Sequence, residues 1–220
     1  MNDTDSLIDQ LAKRAKPVRP LASPMLRTLA WAVAAAALVA LVAASMGMHP
    51  GLSTQMAQAP KLAEWIASLL TGLLAAYAVF QISVPGRSPS WAWLPALPLA
   101  VWLASIGWGC LADFNNMGWA AFAWQTHSGE CARAITAISI PLGITLLVMV
   151  RHAGAVKPAP TAMLAALSAA AMASAGVSLV HEGETSLMVL LWHVGVVALL
   201  SLASLALGKR LFGWIGPARA

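Results

Sequence analysis

Six stretches of this chain run for about 20 residues with no Asp, Lys or Arg inside them: Thr28 to Met48, Trp65 to Val84, Trp91 to Gly109, Ala134 to Val150, Thr161 to Val180 and Leu187 to Gly208. An α-helix of that length matches the roughly 30 Å hydrocarbon layer of a bilayer, so each stretch is expected to cross a membrane. Only 10% of the residues are charged, against about a quarter in a soluble domain, and 60% are hydrophobic, with a mean hydropathy of +0.76. A water-soluble core is thereby excluded. The expected fold is all-α, an integral membrane bundle of six transmembrane helices preceded by a short cytoplasmic amphipathic helix. A charged tail precedes a full-length first span, which is not the pattern of a cleaved signal peptide, so the tail is expected to stay attached.

Orientation follows from where the cations fall. The N-terminal tail carries Lys13, Arg14, Lys16, Arg19 and Arg27, the second and fourth loops Arg87, Arg151 and Lys157, and the C-terminal tail Lys209, Arg210 and Arg219. Lys61 and Arg133 are the only cations left for the other side. Positively charged loops are retained in the cytoplasm, so both termini are expected inside. Glu64, Asp113, Glu130, Glu182 and Glu184 then lie outside. The formal charge of +5 is spread over helix ends, which makes the lipid bilayer a partner and nucleic acid not a direct one.

The chain divides into a cytoplasmic segment, residues 1–24, and a six-helix domain, residues 25–220, with one long outer loop over residues 110–133. In the first segment Leu7, Ile8, Leu11, Ala12 and Ala15 recur at helical spacing before Pro17 and Pro20 end the pattern. That stripe suits either a lipid surface, helped by Lys13, Arg14 and Lys16, or a soluble partner. Ala165, Ala169 and Ala173 in the fifth span have the small-xxx-small spacing of close helix packing. Pro95, Pro98 and Pro141 are expected to bend the third and fourth spans. Trp91, Trp93, Trp108, Trp119 and Trp124 read as interfacial anchors.

Chemistry concentrates on the outer side. Cys110 is expected to end the third helix and Cys131 to begin the fourth, both in a compartment where disulfides form. A structural bridge, worth on the order of 3 kcal/mol for such a loop, and a thiol pair that senses oxidation or metal are both open. His49, His127, His181 and His193 share that side, and thiolates with imidazoles suit zinc or copper, although no metal-site spacing is present. The metal candidates are Cys110, Cys131, His127, His181 and His193. A titratable His193 within a span is a functional candidate in itself. There is no phosphate loop, HExxH, paired intramembrane carboxylate or Ser-His-Asp set, so no enzyme activity is expected.

A set of ordered motifs places the chain among known proteins: Leu7-Ile8-Asp9 to Leu11 with Pro17-Val18-Arg19-Pro20-Leu21, Ser83-Val84-Pro85-Gly86-Arg87, Gly107-Trp108-Gly109-Cys110, Cys131-Ala132-Arg133, and Ser186-Leu187-Met188-Val189-Leu190 to His193. In these it resembles, over nearly its whole length, the NrsF-type anti-sigma factors, six-helix inner-membrane proteins of proteobacteria named for negative regulation of sigma F. The resemblance implies that Leu7, Ile8, Leu11, Ala15, Pro17, Val18 and Leu21 hold an extracytoplasmic-function sigma factor at the membrane. It further implies that Cys110 and Cys131 sense heavy-metal or oxidative stress outside. No resident cofactor is expected, transient heavy-metal binding at Cys110 and Cys131 apart. The competing reading is a small redox or metal-handling membrane protein or transporter that uses the same Cys and His residues.

Overall fold

The computed structural model describes residues 3–14, 20–123, 129–151, 157–180 and 186–215, and among them every regular element is helical. Helix α1 spans Asp3–Arg14, α2 Pro24–Met46, α3 Leu52–Met56, α4 Ala59–Ile82, α5 Ala96–Met117, α6 Gly129–Val150, α7 Pro158–Val177, α8 Ser186–Val189 and α9 Gly195–Ile215. One wide π-turn, Leu190–Val194, joins α8 to α9 into a single sixth span. Short 3-10 turns at Pro89–Trp93 and Gly118–Phe122 flank α5. Six of the resulting helical stretches are long and apolar enough to cross a membrane, as expected.

Start signals are local. Ser23 accepts a hydrogen bond from Leu26 N at 3.3 Å, and Pro24 follows at a position where its missing N–H costs nothing. Gly118 ends α5 at φ +59°, a conformation that a side chain disfavours, while its N–H reaches Phe114 O.

Lipid tails are as apolar as leucine, so the helices associate through close contact and hydrogen bonds rather than hydrophobic burial. Helix α7 supplies both. It packs against α4, α6, α9 and α2, and 83% of its apolar window is buried, against 11% for α2. Ala165, Ala169 and Ala173 are all sealed in this core. Their lack of bulk lets α4 come in until Ser168 Oγ donates to Gly72 O at 2.7 Å. A methyl group added at Gly72 would lie 2.7 Å from Met172 Cγ. Gly208 of α9 rides equally close on the backbone of Ala159. Most other hydroxyls in the spans return to their own helix, as Thr71 does to Ala67 O and Ser139 to Ile135 O. Val33, Leu41, Leu97, Leu199 and Leu202 cover the outside.

Two ends result. One gathers Arg27, Arg87, Arg151, Lys157, Lys209 and Arg210, the other Lys61 and Arg133. Arg27 is itself buried: it donates to Met149 O of α6 and lies 4.4 Å over the Phe80 ring of α4, so one guanidinium ties three helices together.

Three expectations need correction. Helix α5 does not stop at Cys110 but continues two turns to Met117, because apolar side chains persist through Phe114 and Asp113 gains a partner described below. The outer loop of residues 110–133 shrinks accordingly. Pro95 and Pro98 occupy the cap and first turn of α5, where proline is tolerated, so of these three only Pro141 lies in a helix interior.

Replacing Gly72 by leucine is expected to wedge α4 from α7 and lower stability by about 1–3 kcal/mol or more. Leu199→Ala on the outer face should leave the thermal midpoint in micelles within error, and equal midpoints for both variants would overturn the packing argument.

Candidate functional site

The site forms at the end of the bundle away from the termini, where motifs distant in sequence meet. Gly109 and Asp113 stand one turn apart on α5 and face the start of the sixth span. At Gly109 a methyl group would meet Ser186 Oγ at 2.5 Å, so only glycine admits the approach. The Asp113 carboxylate then accepts a hydrogen bond from Ser186 N at 2.7 Å. A helix N-terminus presents unpaired N–H groups and partial positive charge, and Asp113 supplies from another helix what a local cap would otherwise provide. The sequence motifs around Gly107 to Cys110 and Ser186 to His193 are thus two halves of one joint.

Cys110 sits next to Gly109, half-buried, with Asp113, Lys61 and Glu64 as the charged groups around its thiol. Cys131 is completely buried near the start of α6, not displayed on a loop. The structure holds both cysteines as thiols rather than as a disulfide.

Helix α7 explains His193. The imidazole is buried within the π-turn, and its Nδ1 lies 2.6 Å from Ser174 Oγ on α7. A histidine in a span is costly unless it is hydrogen-bonded, and this one is. Cys131, Ser174 and His193 all line a cavity of about 490 Å³. Lys61, Glu64 and Trp65 of α4 also line it, as do His49 and Gln55 of the connection between α2 and α4.

Among the described residues, no three His, Cys, Asp or Glu side chains are gathered to hold a metal ion. His127 and His181 lie outside the described residues. Of the remaining metal candidates, Cys131 and His193 share the cavity, whereas Cys110 is not part of its lining. Sequence reasoning assigned site-forming capacity to the third loop alone and so missed the first, with Lys61 and Glu64. The signal was present in the polar run from His49 to Gln58 followed by an acid and a base one turn apart at the edge of a span.

At the other end, α1 carries Leu7, Ile8 and Leu11, which are 55%, 57% and 62% exposed, and Leu21 beyond it is exposed as well. None of residues 4–14 is buried. Ala15, Pro17 and Val18 fall outside the described residues.

The family model of NrsF, the negative regulator of sigma F, matches residues 11–214. The chain belongs to this family. The match takes in all six spans and both cysteines, and it begins inside α1, after Leu7 and Ile8. No curated protein and no solved structure matches the chain. A family of negative regulators of sigma F has a sigma factor as its partner and is not typically enzymatic.

Loss of the cap should be local and measurable. Asp113→Ala is expected to cost about 0.5–2 kcal/mol, the usual range for removing a helix cap. It should speed hydrogen exchange of the amides over residues 186–190, and Asp113→Asn, which keeps an acceptor oxygen, should lie nearer the parent. Unchanged exchange in Asp113→Ala would remove the joint from the account.

Proposed function

We propose that this protein is a membrane-bound anti-sigma factor that holds an extracytoplasmic-function sigma factor at the bacterial inner membrane and releases it on a metal or oxidative signal from the periplasm. The observation that carries the reading is the uncovered stripe of Leu7, Ile8 and Leu11 on α1, in a chain of a family of negative regulators of sigma F. An apolar stripe at helical spacing is what a soluble partner's groove takes up. The excess of cations at the end where the termini lie supports a cytoplasmic position for α1, and with it a periplasmic position for Cys110 and the cavity. Sequestration needs no catalysis. A sigma factor docked on α1 stays at the bilayer, away from RNA polymerase.

The route for the signal runs through the joint between α5 and the sixth span. A bond formed at Cys110, whether to a soft metal or to Cys131, pulls on the turn that carries Gly109 and Asp113. Ser186 N then loses its acceptor, and the sixth span, which runs to the cytoplasmic end, is free to repack against α7. Cys110 is half-buried whereas Cys131 has no exposed surface, so Cys110 is the thiol met first. An equilibrium moves only by the signal's differential affinity for the two states, and about 3 kcal/mol changes the released fraction by more than a hundredfold. A metal-thiolate or disulfide bond is of that strength.

Leu7→Asp or Leu11→Asp places an unpaired carboxylate in a contact that should be dry. The expected loss is a few kcal/mol, about a hundredfold or more in affinity. The sigma factor's regulon, read by a transcriptional reporter, should then be on without any stress. Unchanged repression with normal membrane abundance would reject docking and leave α1 as a helix lying on lipid.

A further inference from the structure

Neither the docking stripe nor the joint between α5 and the sixth span gives a role to the charged pair that lines the cavity at the far end of the bundle. Its volume of about 490 Å³ is that of a site for a small organic molecule. A bare ion does not suit it, since no three ligating side chains among the described residues converge on a point. The α2–α4 connection that contributes to its lining is fixed rather than draped: His49 N donates to Leu179 O at 3.1 Å, and Gly51 N donates to His49 Nδ1 at 2.9 Å.

The serines that line the cavity offer little for recognition. Ser174 is bonded to His193, Ser178 Oγ donates to Ser174 O, and Ser68 Oγ donates to Trp65 O. Gln55 adds a buried Oε1 that lacks a hydrogen-bond partner, and selectivity for charge falls to Lys61 and Glu64, the only Lys, Arg, Asp or Glu that line the space among the described residues. They stand one turn apart on α4 with Nζ and Oε2 at 3.4 Å, longer than the roughly 2.7–2.9 Å of a closed charge-assisted hydrogen bond. Both side chains retain partial exposure, 30% for Lys61 and 15% for Glu64. The pair presents one positive and one negative group side by side. A ligand with a single charge would satisfy one of them and face repulsion from the other.

We propose that this cavity binds a small zwitterion, with the anionic group on Lys61 and the ammonium group on Glu64. Two sources carry that chemistry at this depth: a free amino acid in the outer compartment, and the headgroup of phosphatidylethanolamine in the outer leaflet. The site stands apart from sigma-factor docking on α1, which is followed separately by co-purification.

The test uses the full chain. In detergent micelles, calorimetric titration with L-serine or L-methionine is expected to show binding at least tenfold tighter than with acetate or ethanolamine, which carry one charge each. In nanodiscs, the thermal midpoint is compared between phosphatidylethanolamine and phosphatidylglycerol discs. Lys61→Gln and Glu64→Gln should each weaken the response tenfold or more, while Leu11→Asp leaves it unchanged. If either replacement fails to assemble, Glu64→Asp keeps the charge but withdraws it by one methylene and should weaken binding in the same sense. A response confined to the micelle arm assigns the free solute, and one confined to phosphatidylethanolamine discs assigns the lipid. No response in either arm, equal binding of the single-charge controls, or indifference to the Lys61 and Glu64 variants would overturn the proposal.

Discussion

Everything in this fold hangs on the contact of α7 with α4 and α9, because within hydrocarbon there is no water to push helices together. Ser168, Gly72 and the alanine ridge replace hydrophobic burial with short approach and one buried hydrogen bond. With α7 sealed in the middle, its Ser174 is positioned to satisfy His193, and Trp65 Nε1 reaches Ala175 O at 3.1 Å. The outer helices are then free to present plain apolar surface to lipid. Arg27 closes the opposite end on Phe80 and Met149.

A bundle held in this way divides labour between its ends. At one end, α1 carries an apolar stripe that the bundle does not cover. At the other, the third and sixth spans meet through an acceptor on one and a bare amide on the other, with a cysteine thiol beside the contact. Such a cap is weak on the scale of the whole fold, so the joint can open at low cost. The six-helix span of the family match includes that joint entire.

Much of this was legible beforehand. Six spans were readable because hydrocarbon demands length and the absence of charge, both of which are local properties of sequence. The amphipathic α1 was readable from the helical spacing of Leu7, Ile8 and Leu11, and the family followed from the order of short motifs around Pro85, Cys110 and Ser186. What escaped was set by contacts between distant segments. Nothing near Cys110 announces that α5 continues to Met117, since the acceptor role of Asp113 exists only when Ser186 is brought to it. Burial of Cys131 likewise arises only when α6 packs into the bundle. The cavity was missed because its lining comes from five spans and a connection that looked too short to matter.

The central claim, that α1 holds a sigma factor and that the thiol at the far end controls the hold, is open to one direct measurement. A photo-crosslinking amino acid at Ile8 in the full chain, activated in living cells before and after cadmium, reports both parts at once. The account predicts a crosslink to the sigma factor in unstressed cells, its loss after cadmium, and its persistence after cadmium in Cys110→Ser. A crosslink to lipid alone, or loss of the sigma-factor crosslink in Cys110→Ser just as in the parent, would contradict it.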